Sequence, residues 1–344
     1  MKTFFLLLLS FWSGIIVAQT GGITTFPMLD LSFNARSIAL AGDFISIYDE
    51  DINIGISNPS LINSEMTKTA SFSTALLSGG LNYGMFAYGL NSKKLGPIAT
   101  YIKYVNYGKF DRTNVAGISE GTFRPFEMIA GAGIGKALNP RISIGANLNF
   151  LYSQLETYSS LGTSIDFAGT FYNPEKEFLV TILAKNIGYQ LKGYTEKTRS
   201  LLPVEVQAAT SYKLKHAPFR ISLLAHHLNQ WDITYSDPNA TATIDALTGD
   251  TIPVPKTGFF EKFANHFTYQ LEIIVTKNIE LRAGFDYHKR KELALEQRSG
   301  ISGFSFGAGL LFDKFRLDYG FVIYSRAGFN NMLTLSTNLS KWKK

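Results

Sequence analysis

Between residues 301 and 324, apolar and polar positions alternate on a period of two. Phe304, Phe306, Ala308, Leu310 and Phe312 share one face, against Ser305, Gly307, Gly309 and Leu311. After the Asp313-Lys314 turn, Phe315, Leu317, Tyr319, Phe321 and Ile323 oppose Arg316, Asp318, Gly320 and Val322. Two such runs around a two-residue turn predict a β-hairpin. Strands of a soluble sandwich usually run only ~5–6 residues. These runs match instead the ~9–11 residues that a strand needs to cross a bilayer.

The same pattern recurs upstream and predicts an all-β chain of about 14 strands. They lie at 67–77, 81–91, 97–107, 123–137, 141–152, 160–172, 177–188, 203–214, 219–229, 263–276, 279–288, 301–312, 315–324 and 331–342. Alternation is cleanest at 141–152 and 279–288. It is weakest at 97–107 and 203–214, where both faces are mixed. The connections sort into two classes. Those at 92–96, 138–140, 173–176, 215–218, 277–278 and 313–314 are short; 108–122, 153–159, 189–202, 230–262, 289–300 and 325–330 are longer, and only 78–80 breaks the rule. Short periplasmic turns alternating with long outer loops are expected of a transmembrane antiparallel β-barrel, in which closure leaves no backbone group unpaired in lipid.

Inward-facing charges then become tolerable. Glu280, Arg282, Asp286, Arg316 and Asp318 are expected to form an ion-pair network lining the wall. Tyr104, Tyr107, Phe110, Tyr152, Tyr287 and Tyr324, near strand ends, are expected to anchor the barrel at the interfaces.

Residues 19–66 carry no strand pattern. The run from Phe33 to Ala41 predicts two helical turns stopped at Gly42, and Asn58-Pro59 predicts a turn. Asp49, Glu50 and Asp51 offer oxygen ligands, but calcium-loop spacing is missing, so a solvated turn is expected. Ahead of this segment, Met1-Lys2 and the apolar runs at 4–9 and 15–17 read as a secretory signal peptide, residues 1–18, cleaved between Ala18 and Gln19. Its loss lowers the formal net charge from +6 to +5, and no basic stripe points to nucleic acid. The chain has no cysteine, so no disulfide framework supports it. An aromatic content of 14% suits interfacial girdles.

Apparent catalytic signals fail on context, and no enzyme, cofactor or metal site is expected. Gly117-Ile118-Ser119-Glu120-Gly121 matches a nucleophile elbow but falls in an outer loop, away from any strand-to-helix junction. Gly131 to Lys136 resembles a phosphate loop, yet Ala130 and Ala137 stand where Gly and Ser or Thr are required. His226-His227 sits in a predicted strand, where neighbours face opposite ways, so the pair is not expected to chelate one metal.

Asn34-Ala35-Arg36-Ser37-Ile38-Ala39-Leu40-Ala41-Gly42, Asp51-Ile52-Asn53 and Ser57-Asn58-Pro59-Ser60-Leu61 resemble the N-terminal hatch of FadL-like outer-membrane barrels, with Asn58-Pro59-Ser60 in place of the usual Asn-Pro-Ala. The stretch from Tyr212 to Arg220, His226-His227-Leu228, the stretch from Trp231 to Pro238, Tyr172-Asn173-Pro174-Glu175-Lys176 and Lys185-Asn186-Ile187-Gly188 resemble the PorQ-like, PorV-related barrels of the type IX secretion system of Bacteroidetes. The resemblance implies a hatch at 19–66 and a barrel at 67–344 in the bacterial outer membrane. It also implies a PorZ-like surface protein and other attachment components as partners, beside outer-membrane lipid. The chain departs from the usual aromatic barrel terminus, with Lys343 and Lys344 after Trp342.

Two functions follow. One is a membrane anchor whose outer loops hold the surface partner; the other is a FadL-like passive transporter of hydrophobic small molecules. Inward positions dominated by Gly, Ser, Asn and charges favour the anchor. Loop 230–262 is far longer than its connection requires, and Ile244, Leu247, Ile252, Phe259 and Phe260, with Phe263 just after it, give it apolar anchors for a partner.

Overall fold

A sheet that crosses lipid has to pair both edges of every strand, and here fourteen strands do so in one ring. In the computed structural model, residues 25–77, 80–195, 199–234, 243–244, 251–252, 257–292, 301–325 and 328–342 are described. The strands are β1 (Thr69–Leu76), β2 (Asn82–Ser92), β3 (Gly96–Asn106), β4 (Phe126–Asn139), β5 (Ile142–Leu155), β6 (Tyr158–Asn173) and β7 (Phe178–Lys192), then β8 (Glu205–Lys213), β9 (Phe219–Ala225), β10 (Phe267–Ile274), β11 (Ile279–Asp286), β12 (Phe304–Leu311), β13 (Phe315–Ser325) and β14 (Gly328–Asn338). Each pairs antiparallel with its sequence neighbour, and β1 closes the barrel on β14, from Thr69 opposite Asn338 to Ala75 opposite Met332.

Pleating puts alternate side chains on opposite faces. Phe86, Ile102, Leu148, Phe150, Ile182, Leu281 and Leu335 project outward and are exposed, the surface a lipid-facing barrel needs. All fourteen expected strands are present, with altered ends. The run read as 219–229 stops at Ala225, and the start of 263–276 belongs to helix α3 (Phe259–Ala264). The run read as 279–288 stops at Asp286, whose Oδ1 accepts the Lys289 N–H at 3.1 Å and opens helix α4 (Tyr287–Glu292). A 3-10 turn, Leu339–Trp342, follows β14 where strand was expected.

Residues 26–66 fill the lumen. Helix α1 (Ala35–Ala39) is capped by Asn34, whose Oδ1 accepts the Ser37 N–H at 2.8 Å. It ends earlier than its sequence suggests, because Ala41 takes the left-handed conformation (φ 66°) and the Gly42 N–H bonds back to the Ser37 carbonyl. Helix α2 (Ile52–Ser57) is capped by Asp51. Helix α1 lies against glycine-lined wall. A Cβ on Gly320 would come within 2.2 Å of the Ala35 carbonyl oxygen, so only glycine lets α1 approach β13 this closely. The signal-peptide reading, residues 1–18, falls outside the described residues.

Beyond the rim, residues 110–113 and 119–123 form a separate hairpin in which Phe110 and Phe123 stack at 5.8 Å. Phe110 therefore does not belong to the barrel wall. Nor is Tyr107 an interfacial anchor: its hydroxyl turns into the lumen and donates to Glu127 at 2.8 Å.

Candidate functional site

The lumen divides into three regions, each assembled by the hatch against a different arc of wall. On the inner face of β2–β5 and the outer-end part of β13–β14, an apolar cluster gathers Tyr83, Met85, Tyr101, Ile129, Leu151, Val322 and Met332, all buried. Met28 and Phe33 of the hatch pack into this arc, Phe33 edge-on to Tyr83 at 5.5 Å. Glu127 fixes the hatch entry, accepting the Met28 N–H at 3.2 Å, the Tyr107 hydroxyl and the Ser153 hydroxyl. Elsewhere the inward positions are mainly small polar residues, Gly and charges, as expected; this apolar cluster is the local exception. It also explains the mixed pattern of 97–107, since β3 turns Tyr101 and Val105 to an apolar hatch and Ile102 to lipid.

A cavity of about 60 Å³ lies at the edge of this arc, between Met28, Phe33 and Met85 on one side and Asp43, Lys103, Asp166 and Lys185 on the other. Its polar wall depends on a bulge. Asp166 of β6 faces two residues of β7, and its Oδ1 accepts the Asn186 N–H at 2.8 Å while Asn186 sits at φ 61°. Lys185 faces inward with Thr181 and Leu183, and its Nζ meets Asp43 at 2.7 Å and Glu205 at 2.8 Å; the extra residue brings Asn186 to the same side.

On the opposite arc the expected ion-pair network is present, but with a different hub. Arg282 donates to Glu272, Asp318 and Glu280 at 3.0, 2.7 and 2.5 Å, and Arg316 donates to Asp318 and Glu280 at 2.8 and 2.9 Å. Asp286 stands apart at the outer end, 3.2 Å from Lys289. Glu272 also receives Arg220 at 2.6 Å and Arg36 from α1 at 2.8 Å, so it joins the hatch to three strands. Arg36 reaches Asp49 at 2.6 Å as well. Asp51 is buried and Asp49 and Asp51 both pair with Arg36, so these two anchor α1 and α2, while Glu50 stays solvated as expected. Reading the sequence alone misses Glu272 and Arg36, because a single charge in a strand or helix carries no sign of its partner.

The hatch motif packs on β4–β7. Asn58 Nδ2 donates to the Ile45 carbonyl at 2.7 Å and to Thr181 at 3.1 Å, and Asn58 Oδ1 accepts from Ser60. Pro59 lies against β5, where a Cβ on Gly145 would come within 2.2 Å of the Pro59 carbonyl.

At the outer rim, α3 presents Phe259 and Phe260, 63% and 84% exposed, with Trp231 against Phe259 at 5.2 Å. Ile244 and Ile252 belong to a short pairing of residues 243–244 with 251–252, and Leu247 lies outside the described residues. Next to this rim, His226 and His227 point the same way. β9 has ended, His227 takes φ 54°, and the two Nδ1 atoms are 2.8 Å apart. The assumption of opposed side chains therefore fails. Glu205 Oε1 lies 3.4 Å from His227 Nδ1. Burial pushes the His226 imidazole down to about 4, so it is neutral at pH 7.

No protein-family model matches the sequence, and no curated protein matches it. Solved structures do resemble it in fold. The TodX monoaromatic hydrocarbon channel deltaS2 mutant is 10% identical with a TM-score of 0.56, over 89% of this chain and 99% of that one. The Pseudomonas putida toluene transporter TodX is 12% identical with a TM-score of 0.53, over 90% and 99%. A Pseudomonas aeruginosa FadL homologue is 11% identical with a TM-score of 0.49, over 89% and 98%. The chain has the closed fourteen-stranded fold of FadL-like outer-membrane barrels.

Proposed function

We propose that this chain is an outer-membrane channel of the FadL-like kind that passes small hydrophobic molecules along its hatch. The observation that carries the reading is the apolar arc of Tyr83, Met85, Tyr101, Ile129, Leu151 and Met332 facing Met28 and Phe33. An anchor has no need of a greasy inner wall, whereas a hydrophobic solute needs a continuous apolar surface to leave water. In the described arrangement the hatch occupies that surface, and a cavity of about 60 Å³ has room for about two waters. Passage therefore requires Met28 and Phe33 to move aside. The fold likeness to a toluene transporter supports this reading by analogy.

The test is uptake of toluene by cells lacking their own hydrocarbon channels. Expression of the chain should accelerate uptake, and Met85→Asp or Ile129→Asp should abolish the gain while the barrel still assembles. Uptake equal to that of empty-vector cells overturns the reading.

A second reading is favoured by the exposed aromatics of α3. In it the barrel is a type IX secretion component whose rim holds a PorZ-like surface protein. Phe259→Ser with Phe260→Ser should then release that partner into the medium with the barrel intact, and full retention counts against it.

A further inference from the structure

The His226, His227 and Glu205 cluster belongs neither to the apolar arc nor to the ion-pair hub. Its three ligand atoms, one from each residue, all lie within 4.8 Å of one another. Bonds of about 2.0–2.1 Å at tetrahedral angles space zinc ligands by about 3.3 Å. The pairs at 2.8 and 3.4 Å bracket that spacing. Each of the three residues can supply a lone-pair atom to the cluster. A single shared proton serves two of them, whereas a divalent cation serves all three.

The surroundings hold the ligands as outer-shell groups do in metal sites. Lys185 Nζ binds Glu205 Oε2 at 2.8 Å, and Gln207 Nε2 donates to Oε1 at 2.8 Å, which orient the carboxylate. The His226 N–H donates to the His266 carbonyl and the Leu228 N–H to the Val206 carbonyl, both at 2.9 Å, which fixes the turn that carries the two imidazoles. His266 is not an additional ligand, since both its ring nitrogens face carbonyls, of His226 at 2.8 Å and Trp231 at 3.2 Å. Glu205 and His226 are buried, while the His227 side chain is 41% exposed and gives an ion access from the outer face.

We propose that Glu205, His226 and His227 bind one zinc-like divalent cation at the outer mouth of the barrel. Two imidazoles and one carboxylate suit zinc, with copper(II) and nickel(II) as competitors. Three protein ligands leave a fourth position for water or for a donor from outside. The cation would tie the start of β8 to the turn after β9, beside the loop that carries Trp231 and α3.

The test uses the full chain in detergent, stripped with a chelator and titrated with zinc chloride alone. Wild type should bind one zinc per chain. His227→Ala and His226→Gln should each weaken binding at least tenfold, and His216→Ala, in a distant turn, should leave it unchanged. Cobalt(II) added instead should give the visible absorption of a four-coordinate site in wild type only. Each variant is scored by its heat-dependent gel shift, so a misfolded barrel is not counted as a loss of binding. If folded wild type retains no zinc, or if the folded His226→Gln/His227→Ala double variant retains as much, the site is a proton-sharing pair and the proposal is overturned.

Discussion

Arg36 of α1 and Glu272 of β10 meet fork to fork, Nε to Oε1 at 2.8 Å and Nη2 to Oε2 at 3.1 Å, in a fully buried contact. Two parallel charge-assisted bonds fix direction as well as distance. This pair is the chief charged link between hatch and wall. Because Glu272 also serves Arg220 and Arg282, deleting it removes a carboxylate from three guanidiniums in the lumen and takes from Arg220 its ion pair.

Glu272→Leu should therefore destabilise the folded chain by about 3–5 kcal/mol, the cost of leaving buried charge uncompensated. The double variant with Arg36→Leu should cost less than the sum of the two single changes, since they share one interaction. Denaturant unfolding in detergent micelles measures all three. Strict additivity would show that the pair is not coupled.

Leu148 lies near the middle of β5 and faces outward, between the inward residues Asn147 and Asn149. Leu148→Arg should impair assembly, with a cost of about 2–4 kcal/mol near the bilayer midplane. Leu148→Met should assemble normally. Equal heat-dependent gel shifts for both variants would mean that this face does not meet lipid.

Gly145→Val should displace the hatch without opening the barrel, because the new side chain overlaps the Pro59 carbonyl. The expected result is faster protease cleavage within residues 45–62 with the gel shift retained. Unchanged cleavage would place Pro59 away from β5.

The orientation can be read from two single cysteines in a chain that has none. Val115→Cys, on the fully exposed outer hairpin, should react with an impermeant maleimide on intact cells. Asn278→Cys, in a short turn whose side chain bonds the Leu311 carbonyl, should react only after lysis. Labelling of Asn278→Cys in intact cells would reverse the assigned topology.

The sequence by itself determined the barrel. Period-two alternation in β5, β11 and β13 reports which side chains meet lipid, and that rule acts on every outward position at once. Strand number, the alternation of turns with loops, and the inward setting of Arg282, Arg316 and Asp318 follow from it. Only the tertiary structure decided what fills the lumen. The apolar character of Tyr101 and Val105 makes sense once Met28 and Phe33 are seen against that arc, and it blurred the very alternation that marks a strand. Glu272 gained its role from Arg36, 236 residues away, and nothing in local sequence encodes such a partner. His226 and His227 were misread as opposed because strand geometry was extended past Ala225. A left-handed turn at His227, stabilised by backbone bonds to Val206 and His266, brings them together. Outward positions answer to a uniform solvent and are legible singly; inward ones answer to one particular neighbour, which only the closed barrel supplies.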